Sequence, residues 1–370
     1  MKINLGLIFG GRSGEHEVSL QSAKSIAAAV NKDKYNLHLI AIDKSGNWYL
    51  ADPKSYLENA DDPKNIRLKV LPEQQIAIIP IDNSNQILRL SDGKQMGNLD
   101  VVFPIVHGTF GEDGSMQGYF DILNLPCVGA NVLGSAVGMD KLLSKKLLIS
   151  ENIAVADWLV VDKDSDIASQ AQEAAKKFGF PVFVKPVCSG SSVGVYKADN
   201  LAELEESIVK ALKYDSGVLI EKAIIGREIE CSVLGNDKLI ASIPGEVIPA
   251  HSFYSYEAKY LDANGAKLDM PAKLPKAVAE QVKELAKKAY KALSCTGMAR
   301  VDMFLTENGE LFLNEINTLP GFTKISMYPK LLDLSGIPYP ELIDRLVSLA
   351  IEQHKVREEN LENVLKAATY

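Results

Sequence analysis

Met298–Leu305 and Leu311–Ile316 have the composition of two strands, and Asn308-Gly309 between them is a two-residue hairpin signal. With that dipeptide as the turn, Glu307 pairs with Glu310, Asp302 falls opposite Glu315, and Arg300 falls opposite Asn317. Side chains alternate along a strand, so Arg300, Asp302, Glu315 and Asn317 share one face. Val301, Met303, Leu305, Phe312 and Ile316 take the other, with Asn314 as its polar exception. Two carboxylates facing each other across a ladder repel. A positive charge between them relieves this, and Arg300 supplies part of it. An oxygen-only set of Asp, Glu and Asn suits Mg²⁺ bound together with phosphate oxygens. A solvated polar face with ordinary ion pairs has the same composition, and the hairpin alone leaves both readings open.

Three glycine-rich segments invite ligand readings. In Lys185-Pro-Val-Cys-Ser-Gly-Ser-Ser-Val-Gly194, a lysine ends a strand and a small-residue loop follows. Such a loop can offer backbone N–H groups to an anion. It is not a Walker A loop, because the lysine precedes the glycines and no helix begins at the loop. Read by itself, it favours a tight Gly/Ser turn over a phosphate loop. Gly10-Gly-Arg-Ser-Gly-Glu-His-Glu17 follows the first strand, but its spacing is GGxxG, and Asp43 stands 29 residues beyond Gly14 where a dinucleotide fingerprint asks about 20. Glu15 and Glu17 would repel a pyrophosphate and suit a cationic group instead. His107-Gly-Thr-Phe-Gly-Glu-Asp-Gly114 is a further strand-end loop, in which His107 reads equally as structural or functional. Phe253-Tyr-Ser-Tyr-Glu-Ala-Lys-Tyr260 has no clean period. It reads as a long loop carrying Tyr and Lys donors, such as a lid over residues 250–265.

The elements that must position these residues are legible in outline. Ile3–Phe9 is an unbroken apolar run ending at Gly10-Gly11, as in a strand buried on both faces. A helix with Leu20, Ala23, Ala27 and Val30 on one stripe and Ser19 as its N-cap comes next. Leu37–Ile42 and Val101–Val106 are further strands, so the N-terminal region is α/β with a mostly parallel sheet. Residues 52–98, with Pro53, Pro63, Pro72 and Pro80, read as a loop-rich insertion with short strands. Asp140–Ser150, Ile167–Phe178 and Leu201–Leu212 are predicted helices. Trp158–Val161, Pro181–Lys185, Val193–Lys197 and Val218–Glu221 are predicted strands, together an α+β unit. Beyond it strands dominate (Glu228–Leu234, Lys238–Val247 and the hairpin) around a helix with Val278, Val282, Leu285, Ala289 and Leu293 on one face. A last helix carries Leu342, Leu346, Leu349 and Ala350, and the final dozen residues are expected to fray.

Composition bounds the function. The chain has 370 residues, Lys+Arg 40 against Asp+Glu 48, and a net charge of −8. That length implies two or three domains. The mild acidity disfavours nucleic acid and anionic membranes as partners. Cys127, Cys188, Cys231 and Cys295 stand far apart without a CxxC pair, as reduced cytosolic thiols do. The N-terminus does not read as a signal peptide, and no run approaches a membrane helix. The expectation is a soluble cytoplasmic multidomain enzyme.

Taken in order, ten segments resemble the D-alanine–D-alanine ligases of the ATP-grasp superfamily. They are GGRSGEHEVSL at 10–20, HGTFGEDGSMQG at 107–118, MDK at 139–141, VKP at 184–186, GSSVGV at 190–195, IEK at 220–222, GREIE at 226–230, FYSYEAKY at 253–260, GMARVD at 297–302 and NEINTLPGFTKISMYP at 314–329. The resemblance spans nearly the whole chain. It implies a three-domain ATP-grasp fold, α/β and α+β. The expected divisions are an N-terminal parallel-sheet domain at 1–129, a central subdomain at 130–221, and a C-terminal subdomain at 222–370 carrying the metal site and lid. It assigns Asp302, Glu315 and Asn317 to two Mg²⁺ or Mn²⁺ ions. Lys141 and Lys185 match lysines on the ATP phosphates. Glu221 and Lys222 fall where the connecting strand meets the nucleotide, and Glu228 matches a ribose ligand. Glu15 matches the residue that orients the first D-alanine through its ammonium group, with Ser191 and Tyr260 as its partners. Arg300 and the Gly321 amide match the groups that stabilise a tetrahedral intermediate. Lys259 and Ser326 match contacts to the second substrate's carboxylate or to the transferred phosphate, and His107 matches a histidine near the substrates. Relatives of this kind form homodimers.

The implied chemistry accounts for the residue types. A carboxylate is a poor acyl donor, and γ-phosphoryl transfer from ATP makes it an acyl phosphate that an amine can attack. The first step needs charge neutralisation and alignment. The second creates an oxyanion, and the intermediate must be kept from water. Rival readings are a ligase that takes D-lactate or D-serine as the second substrate, another ATP-grasp acid–amine ligase, and a non-catalytic nucleotide sensor. The sensor has no use for the Arg300 position.

Overall fold

The computed structural model describes residues 2–81, 84–249 and 266–368. The Phe253–Tyr260 segment, with the expected lid, Lys259 and Tyr260, lies outside the described residues.

The first strand, Ile3–Gly10, is central to a four-stranded sheet in the order Trp48–Leu50, Tyr35–Ile42, Ile3–Gly10, Val101–Pro104. It runs parallel to both neighbours, and Leu5, Leu7, Ile8 and Phe9 are fully buried. The helix that follows spans His16–Ala29, so it starts three residues before the expected cap. Ser19 is not an N-cap. Its hydroxyl accepts from Gly10 N–H at 2.7 Å and donates to the Ile105 carbonyl at 2.5 Å, tying two strand ends together. The apolar stripe that places the helix also buries a polar residue with partners in the sheet, and this cannot be read from capping rules.

The insertion is more regular than its prolines suggest. Ile76–Ile81, Ser84–Arg89 and Gln95–Leu99 form an antiparallel sheet, and Leu57–Glu58 pairs with Arg67–Leu68. Ile76, Ile78, Ile87 and Leu99 pack with Ile8, Ile40 and Phe120, which extends the core of the parallel sheet.

The central unit is an antiparallel sheet in the order Trp158–Asp162, Gly217–Lys222, Val182–Pro186, Tyr196–Ala198. Helices Ile167–Phe178 and Leu201–Ala211 pack against it, capped by the side chains of Asp166 and Asn200. Helix Lys141–Ser150 is capped in the same way by Asp140, which satisfies an N–H left over in the first turn.

The third layer is a sheet in the order Ala266–Asp269, Gly245–Pro249, Arg227–Leu234, Met298–Leu305, Leu311–Asn317, with Ile240–Ala241 beside Arg227–Leu234. The single strand expected over Lys238–Val247 is therefore two strands. Helix Lys276–Ala292 packs Val282, Ala286, Ala289 and Tyr290 against one face of this sheet.

The hairpin departs from the two-residue turn. Leu305 pairs with Leu311, and Thr306 exchanges bonds with Gly309 and Glu310, so Glu307, Asn308 and Gly309 form the loop, with Gly309 at φ +83°. A register shift between Asp302 and Met303 absorbs the extra residue at Asn314. Below it Asp302 again faces Glu315 and Arg300 again faces Asn317. Loop and bulge each move the pairing by one residue, in opposite senses. Between them the faces are exchanged: Leu313 enters the core, and Phe312 sits across from Phe304 on the face of Asp302.

The last helix, Tyr339–Ala368, does not stop where polarity begins. Arg357 pairs with Asp121, Glu358 accepts from Asn124 at 2.9 Å, and Lys366 reaches Glu362 at 3.2 Å. Leu342, Ile343, Leu346 and Val347 lie in the same core as Leu5, Leu7 and Phe9. Among the described residues the four cysteines are unbridged, and no helix is long and apolar enough to cross a membrane.

Gly10 closes the first strand at φ +90°, and a Cβ there would stand 2.1 Å from the Ile42 carbonyl oxygen. Gly10→Ala is expected to cost at least about 2 kcal/mol and to lower the thermal midpoint measured by differential scanning fluorimetry. An unchanged midpoint would show that this strand end can relax.

Candidate active site

Three adjacent strands place their polar side chains in rows. Glu228 pairs with Phe304, and Phe304 with Phe312. Glu230 pairs with Asp302, and Asp302 with Glu315. Ser232 pairs with Arg300, and Arg300 with Asn317. The core face beneath is held by Ile229, Cys231, Val301, Met303 and Leu313, so the polar face has no freedom to turn over.

At the centre, Asp302 takes a two-pronged contact from Arg300: Nε donates to Oδ1 at 2.8 Å and Nη2 to Oδ2 at 2.6 Å. The Asn317 amide donates to Oδ2 at 2.8 Å, which leaves its carbonyl oxygen as the end a cation would meet. Arg300 Nε also stands 3.0 Å from Glu230 Oε2. Burial alone would weaken the guanidinium's hold on its proton, but Asp302 and Glu230 more than reverse that and push Arg300 further above its ordinary value. Among the described residues no group of three or more His, Cys, Asp or Glu forms a metal cluster. Asp302, Glu315 and Asn317 offer hard oxygen donors, too few to enclose an ion. That fits Mg²⁺, which keeps waters and phosphate oxygens in its shell.

The central sheet faces this one. Lys185, at its strand's end, donates to Asn314 Oδ1 at 3.2 Å, so the bulge residue makes one of the contacts between sheets. Lys141 reaches the Ser189 carbonyl in the Gly/Ser loop. A cleft between them is lined by Lys141, Ser189, Ser191, Glu315 and Asn317. Glu221 is buried, 2.8 Å from Lys185 and 3.1 Å from Lys145. Burial pushes its carboxyl up, but the two lysines outweigh burial and bring it down to about 2. Burial pulls Lys141 and Lys145 below the usual lysine value, whereas Glu221 overcomes burial at Lys185 and raises it. Lys222 ends the same strand exposed.

Near the N-terminal sheet, Ser191 donates to Glu15 Oε1, which joins the Gly/Ser loop to the first strand-end loop. A Cβ on Gly108 would lie 2.5 Å from Glu15 Oε2, so glycine is required for the carboxylate to occupy this place. His107 is buried, with Nδ1–H donating to the Leu319 carbonyl at 3.0 Å and Nε2 facing the Ser22 hydroxyl at 3.0 Å. Burial disfavours its charged form, but Glu112 at 3.8 Å and Glu15 outweigh it and raise its pKa. Ser326 precedes helix Met327–Leu334 and bonds Thr323, with Gly321 packed against it.

The N-terminal residues 4–130 match the family model for the D-ala D-ala ligase N-terminus, and residues 147–348 match that for the D-ala D-ala ligase C-terminus. The chain belongs to the D-alanine–D-alanine ligase family. It is 51% identical to the D-alanine–D-alanine ligase of Oceanobacillus iheyensis over 98% of this chain and 99% of that one. It is 47% identical to ligase A of Salmonella typhimurium over 95% and 97%. Among solved structures, the D-alanine–D-alanine ligase from Coxiella burnetii superposes with a TM-score of 0.87 at 37% identity, covering 100% and 99% of the two chains. A D-Ala:D-Ser ligase from Enterococcus faecalis superposes with 0.82 at 34% identity, covering 95% and 100%. The fold is thus the ATP-grasp architecture of these ligases.

Within that family frame, the structure brings Glu15 to Ser191, Lys185 to Glu221, and Arg300 to Asp302 and Asn317. It also adds residues that the motif reading passed over. Lys145 stands one helical turn after Lys141, and Glu230 stands two residues after Glu228 on a strand. Both follow from the period of their element. Glu112, Ser22 and Asn314 carry no such signal, because their roles arise from tertiary contacts.

Glu221 has a folded pKa below its ordinary value of 4.5. Its contribution to stability is therefore present above about pH 4.5 and lost as pH falls toward about 2. The stability gap between wild type and Glu221→Gln, measured by denaturant unfolding, is expected to be largest near neutrality and to shrink below pH 4. A gap equal at pH 7 and pH 3 would mean that Glu221 is not held ionised by its lysines.

Proposed function

We propose that this chain joins two D-alanines into D-alanyl-D-alanine, converting ATP to ADP and phosphate through an acyl phosphate, for assembly of the peptidoglycan precursor. The observation that carries the reading is the row Glu230–Asp302–Glu315 with Arg300, whose end at Glu315 lines a cleft with Lys141 while Lys185 reaches the neighbouring Asn314. The family membership supports it, since the relatives carry that activity in their names.

Glu15, held by Ser191 against the Gly/Ser loop, receives the ammonium of the first D-alanine and directs its carboxylate toward the cleft. Lys141 and Lys185 neutralise the phosphates of ATP, and Glu228 takes the ribose. Asp302, Glu315 and Asn317 would hold two Mg²⁺ or Mn²⁺ ions, which would supply charge neutralisation to the phosphates. The substrate carboxylate oxygen attacks the γ-phosphorus, the β–γ bridge breaks, and ADP leaves. The neutral amine of the second D-alanine then attacks the acyl carbon. Arg300 and the Gly321 N–H stabilise the oxyanion, and phosphate departs as the carbonyl re-forms. His107 and Ser326 border the second substrate, together with Lys259. The proposed domain divisions are 1–129, 130–221 and 222–370.

Glu315→Gln is expected to keep the fold and lose nearly all turnover, read as phosphate release from ATP at saturating Mg²⁺. Near-normal release would remove Glu315 from the metal site. Release with D-alanine and none with L-alanine is the expected wild-type behaviour, and release with neither would point to a nucleotide sensor. Product analysis with D-alanine, D-serine and D-lactate in competition should give the D-alanyl-D-alanine dipeptide. In the same assay Tyr260→Phe should slow dipeptide formation by about one to two decades and admit D-lactate. Absence of the ester would show that Tyr260 does not select the nucleophile.

A further inference from the structure

Glu230 lies in the same cross-strand row as Asp302 and Glu315, yet it has no place in the reaction as drawn. It is 8% exposed, and its neighbour in the row is a carboxylate. A third carboxylate here adds to a repulsion that the hairpin already carries. Among the described residues Arg300 compensates it, with Nε 3.0 Å from Glu230 Oε2. The two counter-ions of Arg300 differ in their other duties. Asp302 accepts both of the close guanidinium bonds, at 2.8 and 2.6 Å, and an amide bond from Asn317. These are the oxygens that a divalent cation would claim. Glu230 lies on the strand beyond Asp302, one strand further from Glu315 and Asn317.

We infer that Glu230 is a positioning residue that retains the Arg300 guanidinium at the reaction centre when Asp302 turns its oxygens to the metal ions. Resting on the ligase reading, this divides the work between the two carboxylates. As cations engage Asp302, the guanidinium gives up part of its two-pronged contact, and an arginine without a second anchor would either compete for Asp302 or swing out of line. Glu230 accepts the released Nε–H with a small rotation, since it is already within contact distance. The guanidinium keeps its place, and its other donors stay directed at the developing oxyanion. Ser232, paired with Arg300 in the same row, carries no charge, and its hydroxyl is turned to the Tyr328 carbonyl, to which it donates at 3.1 Å.

Glu230→Gln removes the charge and keeps the shape. Arg300 then has Asp302 as its main anion and competes with the metal for it. Mn²⁺ binding to the enzyme with ADP, followed by the electron paramagnetic resonance signal of free Mn²⁺, should weaken by about three- to tenfold. The kcat for dipeptide formation should fall by about ten- to a hundredfold, with KM for the first D-alanine unchanged. A double-mutant cycle isolates the cause. In an Arg300→Met background, Glu230→Gln should add no further loss of kcat, because Glu230 acts through Arg300. Additive losses, or an unaltered Mn²⁺ titration, would overturn the inference. Should Glu230→Gln fail to fold, Glu230→Asp keeps the charge with a reach shorter by one methylene. It should show an intermediate kcat with the same KM, and wild-type kcat would count against the inference. Wild-type enzyme that makes no dipeptide would instead defeat the ligase reading itself, so the two failures are distinct.

Discussion

Asp302 and Glu315 face each other across a ladder, and much of the site is arranged around making that tolerable. Two unit charges about 5 Å apart repel by roughly 3 kcal/mol at an effective dielectric near 20. A hairpin that keeps such a pair on a half-buried face needs cations from elsewhere. Arg300 provides one from the same strand, Lys185 approaches from the central sheet, and Lys141 from the first turn of helix Lys141–Ser150. The same surplus of negative charge that strains the hairpin makes the cleft receptive to metal ions. Those ions in turn suit it to a polyphosphate, which no set of bare carboxylates could bind. The repulsion and the catalytic capacity are one property.

The lysines need management of their own. Three of them, Lys141, Lys145 and Lys185, sit close together with part of their solvation removed, and each is disfavoured by burial before any partner is counted. Glu221 relieves two of them at once, and it is more deeply buried than either the metal-side carboxylates or Glu15. An ion cluster of this kind is held in place by the cost of undoing it, since removing one member leaves the others charged and dry. It is therefore better understood as fixing where charges stand than as adding to stability.

Much of this was legible before any coordinates. The register that sets Asp302 against Glu315 follows from alternation and one turn signal, because a strand's two faces have incompatible chemistry and only one pairing keeps Val301 and Ile316 inside. The turn itself was not legible. A three-residue loop and a bulge at Asn314 cancel in their effect on the Asp302–Glu315 pairing, so that pair faces the same way with either. Phe312 and Leu313 betray the difference, by changing faces. Ser19 misled for a related reason: a serine before an apolar stripe looks like a cap, but its hydroxyl is spent on two strand ends. The last helix outlasts its apolar stripe through ion pairs to a distant helix, and local polarity does not register such contacts. Lys259 and Tyr260 were named from motif alone and lie outside the described residues.

The core beneath the parallel sheet also bears on how the chain is made. Leu5, Leu7 and Phe9 leave the ribosome first, but the same core holds Leu319, Phe322, Leu342, Ile343, Leu346 and Val347. At roughly 5–20 residues per second, synthesis separates the two sets by tens of seconds. During that interval Leu20, Ala23 and Ile26 can cover part of this core but its C-terminal share is missing, while the core of the central unit draws on residues 159–220 alone. The first sheet therefore completes its packing only once the last helix has been made, whereas the central unit needs nothing beyond its own stretch of chain.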